Sequence, residues 1–190
     1  MKALVFLVEE LSMEVVLNEL VPRILEEEGL SNEFYHQVIF HEGKSDLIHS
    51  IKGTLQHWGV PHSYFIILHD KDSADCLVLK QKIAALCQEA GHPNTLIRIP
   101  CHELESWFLG DLVAIDKVYG THLQDMQAKR KFRDPDKLGN PKEELKKYIH
   151  HYQQISGARA IVQQMSLVGN RSHSFNVFIS GIRKLLKKAS

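Results

Sequence analysis

Acidic side chains stand directly after apolar runs at two places in this 190-residue chain. Glu9 and Glu10 follow KALVFLV, and Asp70 follows YFIILH with Asp72 and Asp75 close behind. Carboxylates at the end of a buried strand repel one another and lose solvation unless a cation lies between them. Oxygen-only ligands at an open site suit Mg²⁺ or Mn²⁺ rather than Zn²⁺. Such an ion polarises a phosphate, stabilises developing oxyanion charge and acidifies bound water, which is the chemistry of phosphoryl transfer or phosphodiester hydrolysis. A competing reading is local. Asp72, Ser73 and Asp75 lie where a helix begins, and side chains of these types cap free N–H groups there. Glu10 reads as a solvated neighbour of Glu9.

These residues need elements to bring them together. KALVFLV is a short apolar run without polar alternation, as expected of a strand covered on both faces of a parallel sheet, and HQVIF, YFIILH and TLIRIP read as the second, third and fourth strands. Between them lie helical stretches: one opened by Ser12, bent or broken at Pro22 and closed by Gly29; SDLIHSIKGTLQHWG, ending at Gly59; and ADCLVLKQKIAALCQEA before Gly91. The β-α-β-α-β-α-β order to residue 100 predicts an α/β fold with a doubly wound, largely parallel four-stranded sheet. In such a sheet ligands bind beyond the carboxyl ends of the strands, and if the first and third strands are neighbours, Glu9, Asp70 and Asp72 converge there. After His102 only helical periodicity remains, interrupted by KRKFRDPDKLGNP, which reads as an exposed loop. The expected organisation is an α/β domain over 1–110 and a helical extension over 111–190 packed on it.

The segments LVEELSMEVVL, ILHDKDSADC, CHELESWFLGDL and RSHSF, in this order, resemble domain-of-unknown-function family 4276. The glutamate after the first strand and the Asp-x-Asp after a later one resemble the Toprim fold of topoisomerases, primases and overcoming-lysogenization-defect nucleases. The resemblance implies that Glu9 is the Toprim glutamate and that Asp70 and Asp72 are its aspartate pair, all three as Mg²⁺ or Mn²⁺ ligands with catalytic roles. Glu10 stands where the Toprim pattern has glycine. Glu105, two residues before Trp107, fits the family's Glu-Trp segment and is a candidate fourth carboxylate, with helix capping as its alternative. Lys71, His102 and Arg171 are candidate phosphate contacts. The resemblance further implies an AAA or ABC-type ATPase partner and a role in phage defence.

Bulk composition bounds the remaining readings. The chain is 44% hydrophobic, carries no formal net charge and has three cysteines. No window approaches the roughly 18 uncharged apolar residues of a membrane span, and a cytoplasmic protein with reduced thiols is expected. Residues 1–100 hold 8 Lys and Arg against 14 Asp and Glu, while the rest hold 15 against 9, so a basic half stands beside an acidic one. KRKFR interleaves an aromatic with basic side chains and could track a nucleic-acid backbone or be a solvated charge run. Arg171, Ser172 and Ser174 open the last helix, where phosphate contact and N-capping compete. Trp107 and Phe108 read as core. Two functions follow: a Mg²⁺-dependent nuclease, or a non-catalytic nucleic-acid-binding or regulatory subunit of an ATPase complex.

Overall fold

The computed structural model describes residues 1–70, 75–99 and 103–190. The chain divides into two compact units, Met1–Ile99 and Pro100–Ser190. The first contains β1 (Lys2–Val8), α1 (Leu11–Glu27), β2 (Phe34–Phe40), α2 (Lys44–His57), β3 (Ser63–Leu68), α3 (Cys76–Glu89) and β4 (Leu96–Arg98). Its four strands pair in the order β2-β1-β3-β4, all parallel, so the expected doubly wound α/β sheet is present.

Burial explains the run-like strand sequences. Every residue from Ala3 to Val8 is fully buried, because β1 is central and both of its faces are covered. Ala3, Val5 and Leu7 pack with Phe65, Ile67 and Ile97 against Leu47, Ile51 and Leu55 of α2 and Ile83 and Cys87 of α3. Side chains alternate along a strand, so Leu4, Phe6 and Val8 point to the opposite face. The β1-α1-β2 connection runs to one side of β1, and β2-α2-β3 crosses back over it. With right-handed crossovers, α1 and α2 leave on opposite faces, and the switch in direction falls between β1 and β3.

Local signals behave unevenly. Gly91 follows α3 with φ +85°; its N–H reaches the carbonyl of Gln88 and that of His92 reaches Cys87, a helix stop that glycine adopts at least cost. Pro22 does not break α1, which runs through it. Leu20, Val21, Ile24 and Leu25 around it are all buried, and that packing offsets one missing backbone hydrogen bond. Ser12 is not the N-cap. Glu10 takes that position in extended backbone, and the buried Ser12 hydroxyl donates to the Glu10 carboxylate from inside the first turn. Asp75 does cap: its Oδ1 accepts from the N–H groups of Leu77 at 2.7 Å and Val78 at 3.3 Å. Asp75→Ala is expected to cost about 1 kcal/mol, read as a fall of roughly 2–4 °C in the thermal midpoint.

The second unit is helical: α4 (Glu105–Leu109), α5 (Leu112–Tyr119), α6 (Arg130–Arg133), α7 (Pro141–Lys146), α8 (Gln154–Gln164) and α9 (His173–Ala189), with 3₁₀ turns at Leu123–Met126 and Pro135–Lys137. The expected exposed loop KRKFRDPDKLGNP is instead a helical turn followed by a 3₁₀ turn. Phe132 is fully buried against Tyr148, and this anchor fixes what the polar composition alone read as unstructured.

Candidate functional site

The register of the central strands builds the site. Val8 lies opposite Leu68 across the β1–β3 pair, so the next residues, Glu9 and His69, emerge side by side at the carboxyl edge of the sheet. The Asp70 N–H donates to Glu9 Oε2 at 3.2 Å, which places Glu9 and Asp70 together despite the sixty residues between them. Asp72 and Lys71 lie outside the described residues, as does His102.

Around this pair the sheet edge is closely organised. His41, which follows β2, is buried; its Nδ1 lies 2.9 Å from the Val8 carbonyl and so donates to it, and its Nε2 lies 2.6 Å from the Ser50 hydroxyl, which also reaches the Leu47 carbonyl at 2.9 Å. Gly43 donates its N–H to the Glu9 carbonyl at 3.1 Å with φ +97°, a conformation a side chain would strain. Lys44 opens α2 immediately afterwards. His69 is buried, with Nδ1 2.8 Å from the Asp70 carbonyl and 3.6 Å from Glu9 Oε2. The role of His41 depends on β2 pairing beside β1, and a histidine directly after a strand is its only trace in the sequence.

Electrostatics mark the same place. Burial raises the Glu9 carboxyl above the ordinary carboxylate range, opposed by the Asp70 N–H and the Lys44 charge and aided by Glu10. Burial also lowers the His69 imidazole, against its hydrogen bond to Asp70 and with the charges of Lys44 and Lys82. The 3.6 Å contact is therefore a carboxylate beside a neutral ring rather than an ion pair. Among the described residues no group of three or more His, Cys, Asp or Glu is placed to hold a metal ion, and the third expected ligand, Asp72, is not one of them.

Glu105 and Arg171 belong to the second unit. Glu105 opens α4, is 2% exposed, and accepts from the Tyr152 hydroxyl at 3.0 Å. Burial raises its carboxyl strongly enough to prevail over its own backbone N–H, Tyr152 and Lys142. A folded-state pKa above the unfolded one means stability that is complete at low pH and declines as pH rises between the two values. Glu105→Gln keeps an acceptor for Tyr152 and removes the charge, so its thermal midpoint is expected to exceed wild type at about pH 7 and to converge with it near the ordinary carboxylate pKa of about 4. Equal midpoints at both pH values would contradict that buried charge. Arg171 directs Nη1 to the Gln127 carbonyl at 2.7 Å. Ser172 caps α9, accepting from the Phe175 N–H, and Asp136 accepts from the Ser172 hydroxyl and the Ser174 N–H, so a carboxylate of the chain already occupies that helix end.

No helix among the described residues is long and apolar enough to cross a membrane. No curated protein matches the chain, and no solved structure does. The model of the domain-of-unknown-function family DUF4276 matches residues 8–183, from the end of β1 into α9, and the chain belongs to that family.

Proposed function

We propose that the chain is a divalent-metal-dependent phosphodiester hydrolase of Toprim type acting on nucleic acid, with Glu9, Asp70 and Asp72 as ligands of Mg²⁺ or Mn²⁺. The observation that carries this reading is the hydrogen bond from the Asp70 N–H to Glu9 at the switch point of a parallel sheet. The donor chemistry fits a hard cation: oxygen ligands, with a Glu9 carboxylate whose ionised form is penalised by burial and would gain from a counter-charge. A bound divalent ion supplies charge neutralisation at a phosphoryl oxygen and a more acidic water. The chain's own residues do the positioning. The Asp70 N–H orients Glu9, Gly43 and His41 hold the end of β1 in place, and Lys44 supplies positive charge beside Glu9.

Glu105 has a packing partner in Tyr152, so the proposed ligand set is limited to Glu9, Asp70 and Asp72. The family resemblance adds an AAA or ABC-type ATPase partner and phage defence as the setting of the activity. The test is to incubate the purified chain with labelled single-stranded DNA, duplex DNA and RNA in Mg²⁺ or Mn²⁺. Cleavage abolished by EDTA is the expected result; intact substrate in every mixture, with an ATPase partner or without one, would favour the non-catalytic subunit.

A further inference from the structure

The helical turn α6 and the 3₁₀ turn after it form an open surface cleft of about 640 Å³ lined by Arg130, Lys131, Arg133, Asp134, Lys137 and Leu138. Four cations and one carboxylate face it. Lys131 is committed to Glu144 at 2.7 Å and to the Tyr148 hydroxyl, and Lys137 to Asp134 at 2.8 Å. Arg130 and Arg133 differ from them: both are exposed, and neither has an ion pair or hydrogen bond among the described residues. Burial of Phe132 between them anchors the turn, so two guanidinium groups three residues apart are presented on a fixed backbone, and the one carboxylate in the lining, Asp134, is paired with Lys137 rather than with either of them.

We infer that this cleft binds the phosphate backbone of a nucleic acid. Guanidinium forks match phosphate oxygens in bidentate geometry, and an uncompensated pair of them is the arrangement that an incoming phosphodiester neutralises. Nothing aromatic lines the cleft, because Phe132 points into the core; bases are not stacked there, and recognition is of the backbone and independent of sequence. The identity of the anion as a nucleic acid rests on the activity proposed above for the first unit.

Binding is measured separately from cleavage, by fluorescence anisotropy of a labelled single strand of about 20 nucleotides in EDTA, on the full chain carrying Asp70→Asn. Adding Arg130→Ala and Arg133→Ala together is expected to weaken binding about 100-fold, roughly tenfold per guanidinium. It should also make the slope of log affinity against log salt shallower by about 1.4. Two different strand sequences should bind alike, and Lys52→Ala with Lys146→Ala, which removes two cations elsewhere, should leave affinity within about threefold. Affinity unchanged by loss of both arginines, absence of binding at low salt, or equal competition by polyglutamate would overturn the inference, the last in favour of an acidic protein. Arginine-dependent binding by a chain that never cleaves supports this site while removing the catalytic reading; cleavage with arginine-independent binding does the opposite.

Discussion

Glu9→Gln and Asp70→Asn are each expected to lower metal-dependent phosphodiester cleavage by about 10³-fold or more, since each removes a carboxylate from the electrostatic centre of the proposed site. Glu9→Gln is the sharper test because the Glu9 side chain has a defined partner in the Asp70 N–H. The amide oxygen it introduces can still accept from the Asp70 N–H, so the sheet edge stays in place while the charge is gone. The two roles of that charge can be separated by thermal unfolding. Without metal, the half-buried Glu9 carboxylate opposes folding at neutral pH, because its folded-state pKa is raised; its stability contribution is complete below the ordinary carboxylate range and falls as pH rises through the raised value. Glu9→Gln should therefore melt at or above the wild-type midpoint in EDTA at about pH 7. Saturating Mn²⁺ at about 100 times its dissociation constant adds roughly 2.7 kcal/mol to wild type, on the order of 5–10 °C, and should add almost nothing to the variant. Equal Mn²⁺ shifts in both proteins would place the ion elsewhere and sink the role given to Glu9.

The sheet was legible in the sequence because a parallel strand buried on both faces leaves an uninterrupted apolar run, and KALVFLV and YFIILH are such runs. Their adjacency followed from topology, and the Glu9–Asp70 contact followed from the adjacency. The second unit was less legible for a physical reason: its short helices are defined by partners distant in sequence. Asp111 caps α5 through Ala114 and also accepts from the Ser166 N–H, and Asp136 serves the start of α9 from 36 residues away. KRKFR illustrates the same limit. Its composition is that of a solvated loop, and only the burial of Phe132 beneath Tyr148 shows why it is ordered. Conversely, HELESWFLG and RSHSF drew attention as site segments, yet the described residues of both are engaged with one another and with neighbouring helices of the second unit.

That engagement predicts a large stability loss when it is broken. Trp107 is fully buried, stacks on Phe178 with ring centroids 5.2 Å apart, meets Phe175 edge-on at 5.3 Å, and donates its indole N–H to Ser174 Oγ at 3.0 Å. Asn170 ties the same segments: its Nδ2 donates to the Trp107 carbonyl, its Oδ1 accepts from the Ser172 N–H, and the Arg171 N–H reaches the Gly110 carbonyl. Trp107→Ala removes the ring and leaves a cavity, an expected cost of about 3–5 kcal/mol and a fall of roughly 10 °C or more in the thermal midpoint, with loss of near-ultraviolet aromatic dichroism. Trp107→Phe keeps most of the ring burial and loses the indole N–H bond, but the Ser174 hydroxyl retains Asp136 Oδ1 at 3.3 Å and Ser172 Oγ at 3.1 Å as partners, so it should cost only about 1 kcal/mol. Gly110→Ala reaches the same joint by overpacking. Its backbone is ordinary helical, but an added Cβ would collide with Asn170 Oδ1 and lie 2.8 Å from the Ser172 nitrogen, so the buried Asn170 must leave both of its hydrogen bonds. A cost of about 2–4 kcal/mol is expected. Combining Gly110→Ala with Asn170→Ala should cost less than the sum of the two, since the second removes the atom the first collides with. Strict additivity in that double variant would show that Gly110 is needed for something other than room for Asn170.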